Sequence, residues 1–137
     1  MIVRTQDEDP NGLASMLADL IASNLERHPE RRALLRSAVV GLTSLDAGVS
    51  ATLRVERGGV RVANGPPAPA ERAVLIGASA ADLLALASAP LRAGVPDPTT
   101  AAGRSVLLGL ARGRIRIRGA LARPLVLPRI ARLLSVR

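Results

Sequence analysis

The chain contains no phenylalanine, tyrosine or tryptophan, no cysteine and no lysine, and it has a single histidine, His28. Each absence removes a class of chemistry. Without aromatics, the core and any pocket are built from Leu, Ile, Val and Ala, and the stacking platforms used by single-strand and RNA readers are missing. Nucleic acid is therefore disfavoured as a partner. Without cysteine there is no disulfide, thiolate nucleophile or cysteine-ligated metal. One histidine with no local partners does not make a zinc site, which needs three or four ligands. Long hydrophobic runs are also scarce. The longest, Ala73 to Leu91, is interrupted by Asp82 and punctuated by Gly77, Ser79 and Pro90, whereas a spanning helix needs about 20 mostly apolar residues. Neither a P-loop nor a dinucleotide-binding glycine fingerprint occurs. Acidic residues stop at Asp97, and those before it are scattered without a pair spaced for shared acid–base work.

What is present points to a single folded unit. A chain of 137 residues with 48% hydrophobic content is long enough to bury a core and too apolar to be disordered. Residues 1–10, with Asp7, Glu8 and Asp9, read as a flexible acidic leader without the apolar segment of a secretory signal. Residues 11–137 read as one domain, and the expected location is cytoplasmic. All basic residues are arginine and the net charge is +8. Arg104, Arg112, Arg114, Arg116, Arg118, Arg123, Arg129, Arg132 and Arg137 fall in the acid-free tail, a field that favours anionic partners.

Hydrophobic spacing at Leu13, Met16, Leu17, Leu20, Ile21 and Leu25 marks one face of a helix over 11–27. His28-Pro29 breaks it, and 30–40 resumes a helical pattern. Val49, Ala51, Leu53 and Val55 alternate with polar residues, which predicts a half-buried strand over 47–56. Gly58-Gly59 turns into a return strand over 60–64. Proline-rich segments at 65–69 and 89–100 read as loops. A short strand at 73–77, a helix at 79–88, a helix from Thr99 or Thr100 to Ala111, a strand over 113–120 and a closing helix with Pro128 in its first turn complete the chain. No internal repeat is visible.

Two features invite a functional reading. Gly77-Ala78-Ser79-Ala80-Ala81 stands between strand and helix, as a nucleophile elbow does, but it lacks the final glycine. No histidine follows Ser79 to serve as its base. A helix cap assisted by Asp82 explains the serine better, and a serine hydrolase using Ser79 is the weakest of three functional readings. The second feature is Arg112, Arg114, Arg116 and Arg118, which share one strand face by the period of two, opposite Ile115 and Ile117. They read either as a solvated face that discourages edge pairing or as an anion- or membrane-binding strip.

The run Ala73-Val74-Leu75-Ile76-Gly77-Ala78-Ser79-Ala80-Ala81-Asp82-Leu83-Leu84-Ala85-Leu86-Ala87 resembles the strand and Ser/Thr-x-x-Asp-Leu segment of the sterol carrier protein type two family. Gly113-Arg114-Ile115-Arg116-Ile117-Arg118-Gly119 resembles the family's alternating basic and aliphatic strand, and 125–134 its final apolar helix. The chain departs from the family in its long Pro-rich 89–111 connection, in Ala120 where an acidic residue often stands, and in its lack of aromatics. The resemblance implies an α+β fold: a twisted, mostly antiparallel sheet of about five strands covered on one face by helices. It also implies non-enzymatic carriage of a fatty acid, acyl-CoA, sterol or polyprenyl lipid, with no cofactor, no metal and no catalytic residue. The expected wall of an aliphatic cavity is drawn from Leu53, Val55, Val62, Ile76, Leu83, Leu86, Leu107, Leu108, Ile130, Leu133 and Leu134, a subset of which lines it. The last helix is its expected gate. The expected anion- or membrane-binding residues are Arg114, Arg116, Arg118, Arg129 and Arg132. The alternative to a carrier is a scaffold of the same fold, with a filled core and a protein partner.

Overall fold

Asn11 starts the first long helix by accepting a hydrogen bond from the Ala14 amide at 2.8 Å through its side-chain oxygen, the usual way an N-cap satisfies an orphan donor. Its side-chain nitrogen donates to the Ser50 carbonyl at 2.9 Å, which ties the helix to the sheet. The computed structural model describes residues 2–92, 94–120 and 122–136. In chain order these form β1 (Val3–Thr5), α1 (Gly12–Arg27), a short 3-10 helix (Pro29–Leu34), β2 (Ala38–Ser44), β3 (Val49–Glu56), β4 (Gly59–Asn64), β5 (Val74–Ala78), α2 (Ala80–Ser88), β6 (Leu91–Arg92), β7 (Val95–Pro96), α3 (Ala101–Ala111), β8 (Arg116–Arg118) and α4 (Val126–Leu134).

The main sheet has six strands in the order β1-β4-β3-β2-β5-β8, and β6 and β7 form a separate small hairpin. Within the main sheet β1–β4 and β2–β5 are parallel pairs, and the other three pairings are antiparallel. This is the mixed α+β architecture expected, with one strand more than anticipated. Alternation sorts its faces. Val40 and Leu42, Leu53 and Val55, Val60 and Val62, and Val74 and Ile76 are buried in one core with Leu13, Leu17, Ile21 and Leu25 of α1. The other sheet face is strapped by the 65–72 loop. Thr52 Oγ1 donates to the Gly65 carbonyl at 2.8 Å, and Arg54 Nη2 pairs with Glu71 Oε1 at 2.6 Å. Gly41 is required beneath that strap, because a Cβ there would stand 2.7 Å from Pro67 Cδ.

The structure corrects several sequence expectations. The supposed leader is not a free tail. Val3–Thr5 adds an edge strand to β4, Asp7 Oδ2 accepts from the Asn64 amide at 2.7 Å, and the Asp9 carbonyl accepts from Asn64 Nδ2 at 3.0 Å. Residues 38–40, expected in a helix, open β2 at the centre of the sheet. A run as short as Ala38-Val39-Val40 fits either period, and burial between two neighbouring strands decides it. The 113–120 strand shrinks to Arg116–Arg118, because Gly113 and Gly119 take φ of 77° and 81° and bend the chain at both ends. The 89–100 loop contains the β6–β7 hairpin.

The α2 N-terminus is held from two sides. Asp46 Oδ1 accepts from the Ala80 amide at 3.0 Å and from Ser44 Oγ at 2.9 Å. These bonds, the Ala80 amide first, hold the Asp46 carboxyl below the ordinary carboxylate range. A depressed folded-state value means this contact contributes above the unfolded pKa and is lost only as pH falls through the folded one.

Candidate functional site: an aliphatic cavity between sheet and helices

α2 is apolar nearly throughout, yet Leu83 is its only buried residue. Leu84, Ala85, Leu86 and Ala87 are exposed or half-buried. A helix this apolar and this poorly buried borders empty space. That space is a cavity of about 390 Å³. α1 supplies Leu13, Met16, Leu17 and Leu20; the sheet supplies Leu42, Ile76 and Ile117; α2 supplies Leu83, Leu84, Leu86, Ala87 and Ser88. The hairpin adds Leu91, Gly94, Val95 and Pro96, α3 adds Leu107 and Leu110, and α4 with the residues after it adds Leu127, Pro128, Ile130, Ala131, Leu134 and Val136. Among the described residues Ser88 carries the one polar side chain in this wall, and its hydroxyl donates back to the Leu84 carbonyl at 2.8 Å. No charged side chain among the described residues lines the cavity. Such a wall offers dispersion contacts and desolvation to hydrocarbon and no partner for a buried polar head.

Of the residues expected to line it, Ile76, Leu83, Leu86, Leu107, Ile130 and Leu134 do so. Leu53, Val55, Val62 and Leu133 are buried in the packed core instead and do not border the space. Leu108 is exposed on the outer side of α3. Alternation and helical spacing identify the inward side of each element, but they do not separate residues packed on a neighbour from residues facing a void. Leu13, Met16, Leu17 and Leu20 were legible as a stripe and not assigned to the cavity. Leu42 gave no signal because the sequence reading assigns no strand to 38–44, where β2 lies. The hairpin residues Leu91 and Val95 gave no signal among the surrounding prolines.

The end of the last helix, the expected gate, is hydrogen-bonded to three other elements. Asn24, fully buried, donates from Nδ2 to the Leu133 carbonyl at 2.8 Å. Arg31 Nη1 donates to the Ser135 carbonyl at 2.6 Å, and the Val136 amide to the Ala87 carbonyl at 2.9 Å. These bonds fasten the α4 end to α1, to the 3-10 segment and to α2. The large hydrophobic residues of the cavity wall with the greatest exposure are Leu84 at 57%, Val95 at 49% and Met16 at 41%. They mark the rim at α2, the hairpin and α1.

Ser79 is the N-cap of α2. Its Oγ accepts from the Asp82 amide at 3.1 Å and lies 3.2 Å from Asp82 Oδ2. His28 is at the C-cap of α1, with Nδ1 3.5 Å from Glu30 Oε1. Ser79→Ala is expected to cost about 1 kcal/mol, the usual price of an N-cap, in urea melts followed by far-ultraviolet circular dichroism. An unchanged melt would remove the capping role.

The four-arginine strip does not exist as one strand face. Arg112 is the C-cap of α3 and Arg114 lies in the turn after it. Only Arg116 and Arg118 project from β8, exposed on the side opposite Ile117. Arg129 and Arg132 are on α4, where Arg129 Nε donates to the Leu125 carbonyl at 3.2 Å. Among the described residues, no helix is long and apolar enough to cross a membrane.

A six-stranded mixed sheet with helices enclosing an apolar space on one face is an SCP2-like α+β fold. A solved structure, the "UbiJ-SCP2 Ubiquinone synthesis protein", matches it with a TM-score of 0.58 at 18% identity, over 89% of this chain and 92% of that one. No protein-family model and no curated protein matches the sequence.

Proposed function

We propose that this protein is a non-enzymatic carrier that binds the hydrocarbon part of a lipid in the cavity between sheet and helices. The observation that supports this is the cavity itself: about 390 Å³ walled by aliphatic side chains, within the roughly 300–1,000 Å³ span of small-ligand pockets. An open space of that kind favours a carrier over a scaffold with a filled core. Fatty acid, acyl-CoA, sterol and polyprenyl lipid all present the required hydrocarbon. The solved neighbour is named for ubiquinone synthesis, and ubiquinone bears a polyprenyl tail, which favours prenyl cargo among these. The aliphatic side chains that the described residues present to the cavity favour a polar head at the rim. No catalytic residue is part of this reading, because Ser79 is engaged in capping α2. The cytoplasmic location expected from the sequence, and an enzyme partner that receives or delivers the cargo, belong to the same proposal.

The test is titration of the protein with fluorescently labelled fatty acid and with a labelled polyprenyl alcohol, each competed by unlabelled lipid. The chain has no aromatic side chain, so the probe signal is free of protein fluorescence. Saturable, competed binding near one probe per chain is expected. Failure of both probes to bind removes the carrier and leaves the scaffold.

A further inference from the structure

Beside the cavity, on the outward side of α4, lies a second concavity of about 310 Å³ lined by Arg36, Leu125, Pro128, Arg129 and Arg132. Leu125, Arg129 and Arg132 follow one another at spacings of four and three, so they form one stripe of the helix and its N-terminal flank. Arg36 comes from the segment after the 3-10 helix and is held there by its buried neighbour Leu35. The Arg129 guanidinium is anchored through Nε by the Leu125 carbonyl, and its Nη groups remain for another acceptor. Among the described residues no carboxylate lines the groove and no ion pair involves Arg36, Arg129 or Arg132. Three like charges sharing one groove repel one another unless an anion joins them, and guanidiniums suit the oxygens of a phosphate. Leu125, 74% exposed, stands at the same edge. A large apolar side chain beside a basic groove is how an interfacial element meets an anionic bilayer. Pro128 lines both concavities, so the groove and the apolar cavity lie back to back across the first turn of α4.

We propose that this groove binds the phosphate of an anionic phospholipid at a membrane surface, with Leu125 entering the acyl boundary, and so docks the cavity against the bilayer for loading and unloading. The inference rests on the carrier reading for its purpose, but the groove is tested independently. The recognised chemistry is a phosphate ester, and its source is a bilayer rather than a soluble metabolite because Leu125 needs an apolar phase to enter.

The experiment is co-sedimentation with vesicles of phosphatidylcholine alone and of phosphatidylcholine with phosphatidylglycerol. Four proteins are compared: wild type, Arg36→Gln/Arg132→Gln, Leu125→Asn, and the charge-matched Arg116→Gln/Arg118→Gln. All the changed side chains are exposed, and circular dichroism checks each fold. Wild type is expected to prefer the anionic vesicles. The groove double variant should bind them about 10-fold more weakly, since each basic residue near the surface contributes on the order of a few-fold. Leu125→Asn should also weaken binding. The β8 double variant should change it less than about 2-fold, because Arg116 and Arg118 do not line the groove and exposed charges that make no direct contact are weakened by salt screening. Equal losses in the two double variants would reduce the effect to net charge and overturn the proposal. So would a groove variant that binds like wild type. If inorganic phosphate at matched ionic strength releases the wild type while Leu125→Asn binds vesicles normally, the groove serves a soluble phosphate and the membrane assignment is overturned. Uptake of labelled fatty acid in vesicle-free solution should persist in the groove variants. Its failure in wild type would strike the carrier reading and leave the groove standing.

Discussion

Leu86→Asp should abolish lipid uptake while Leu108→Asp, one helix away, leaves it intact. Leu86 is half-buried and lines the cavity from α2, whereas Leu108 is 49% exposed on α3 and outside it. Aspartate is the informative replacement. A long arginine at the same place would carry its charge back to water along its own stem, but a carboxylate one carbon from the backbone stays in the wall. Ligand binding would then have to strip water from that charge without supplying a partner. A penalty of about 3 kcal/mol corresponds to a loss of about 100-fold in affinity. The fold should survive, because Leu86 borders the cavity and is only partly buried against the core. Fluorescent fatty-acid titration reads the affinity and far-ultraviolet circular dichroism reads the fold. Equal effects of the two substitutions, or undiminished uptake by Leu86→Asp, would mean that the ligand does not occupy this cavity. Leu133, which the sequence also pointed to as a wall residue, is 1% exposed in the core. A charge there should unfold the domain rather than block a pocket.

The second large effect runs against helix propensity. Gly103 is in the first turn of α3, and Gly→Ala inside a helix normally stabilises by about 1 kcal/mol. Here it should destabilise. A Cβ on Gly103 would stand 1.9 Å from the Asp97 carbonyl oxygen and 2.7 Å from its carbon, which is backbone and cannot rotate aside. The obstructing segment is also fixed. Asp97 Oδ1 accepts from the Thr99 amide at 2.9 Å and from Thr99 Oγ1 at 2.7 Å, while Thr100 Oγ1 donates to the Asp97 carbonyl at 2.9 Å. Overpacking of this kind costs about 1–3 kcal/mol and occasionally more, so Gly103→Ala should lose at least about 2 kcal/mol in urea melts. Since the Asp97 amide donates to the Pro90 carbonyl at 2.8 Å, the displacement reaches the β6–β7 hairpin at the cavity rim. Lipid uptake should weaken with stability. A stabilised or neutral variant would show that the 97–103 contact is not as close as described.

Sequence reasoning reached the architecture where a single physical signal dominates. The alternation around Leu53 and Val55, the Gly58-Gly59 turn, the stripe from Leu13 to Leu25 and the Ser79 cap each found its element. It failed where two periods fit the same residues, as at Ala38-Val39-Val40, and where an edge strand draws its stability from a distant partner, as Val3–Thr5 does from β4. The cavity shows the sharpest limit. Leu133 and Leu134 are neighbours on one helix, as are Leu107 and Leu108. One of each pair lines the space and the other does not, because a rotation of about 100° between successive residues decides between void, core and solvent. Spacing identifies an apolar side; only the packing of neighbouring elements determines whether that side is filled. The low burial of a helix as apolar as Leu83-Leu84-Ala85-Leu86-Ala87 became meaningful once the sheet and α4 were in place around it.

The most direct test of the account is native mass spectrometry of protein purified without detergent or organic solvent, before and after addition of fatty acid and of a polyprenyl lipid. The account predicts a one-to-one lipid adduct, carried through purification or formed on addition, and its loss in Leu86→Asp but not in Leu108→Asp. A chain that keeps its unliganded mass with every lipid offered, while remaining folded, would contradict it.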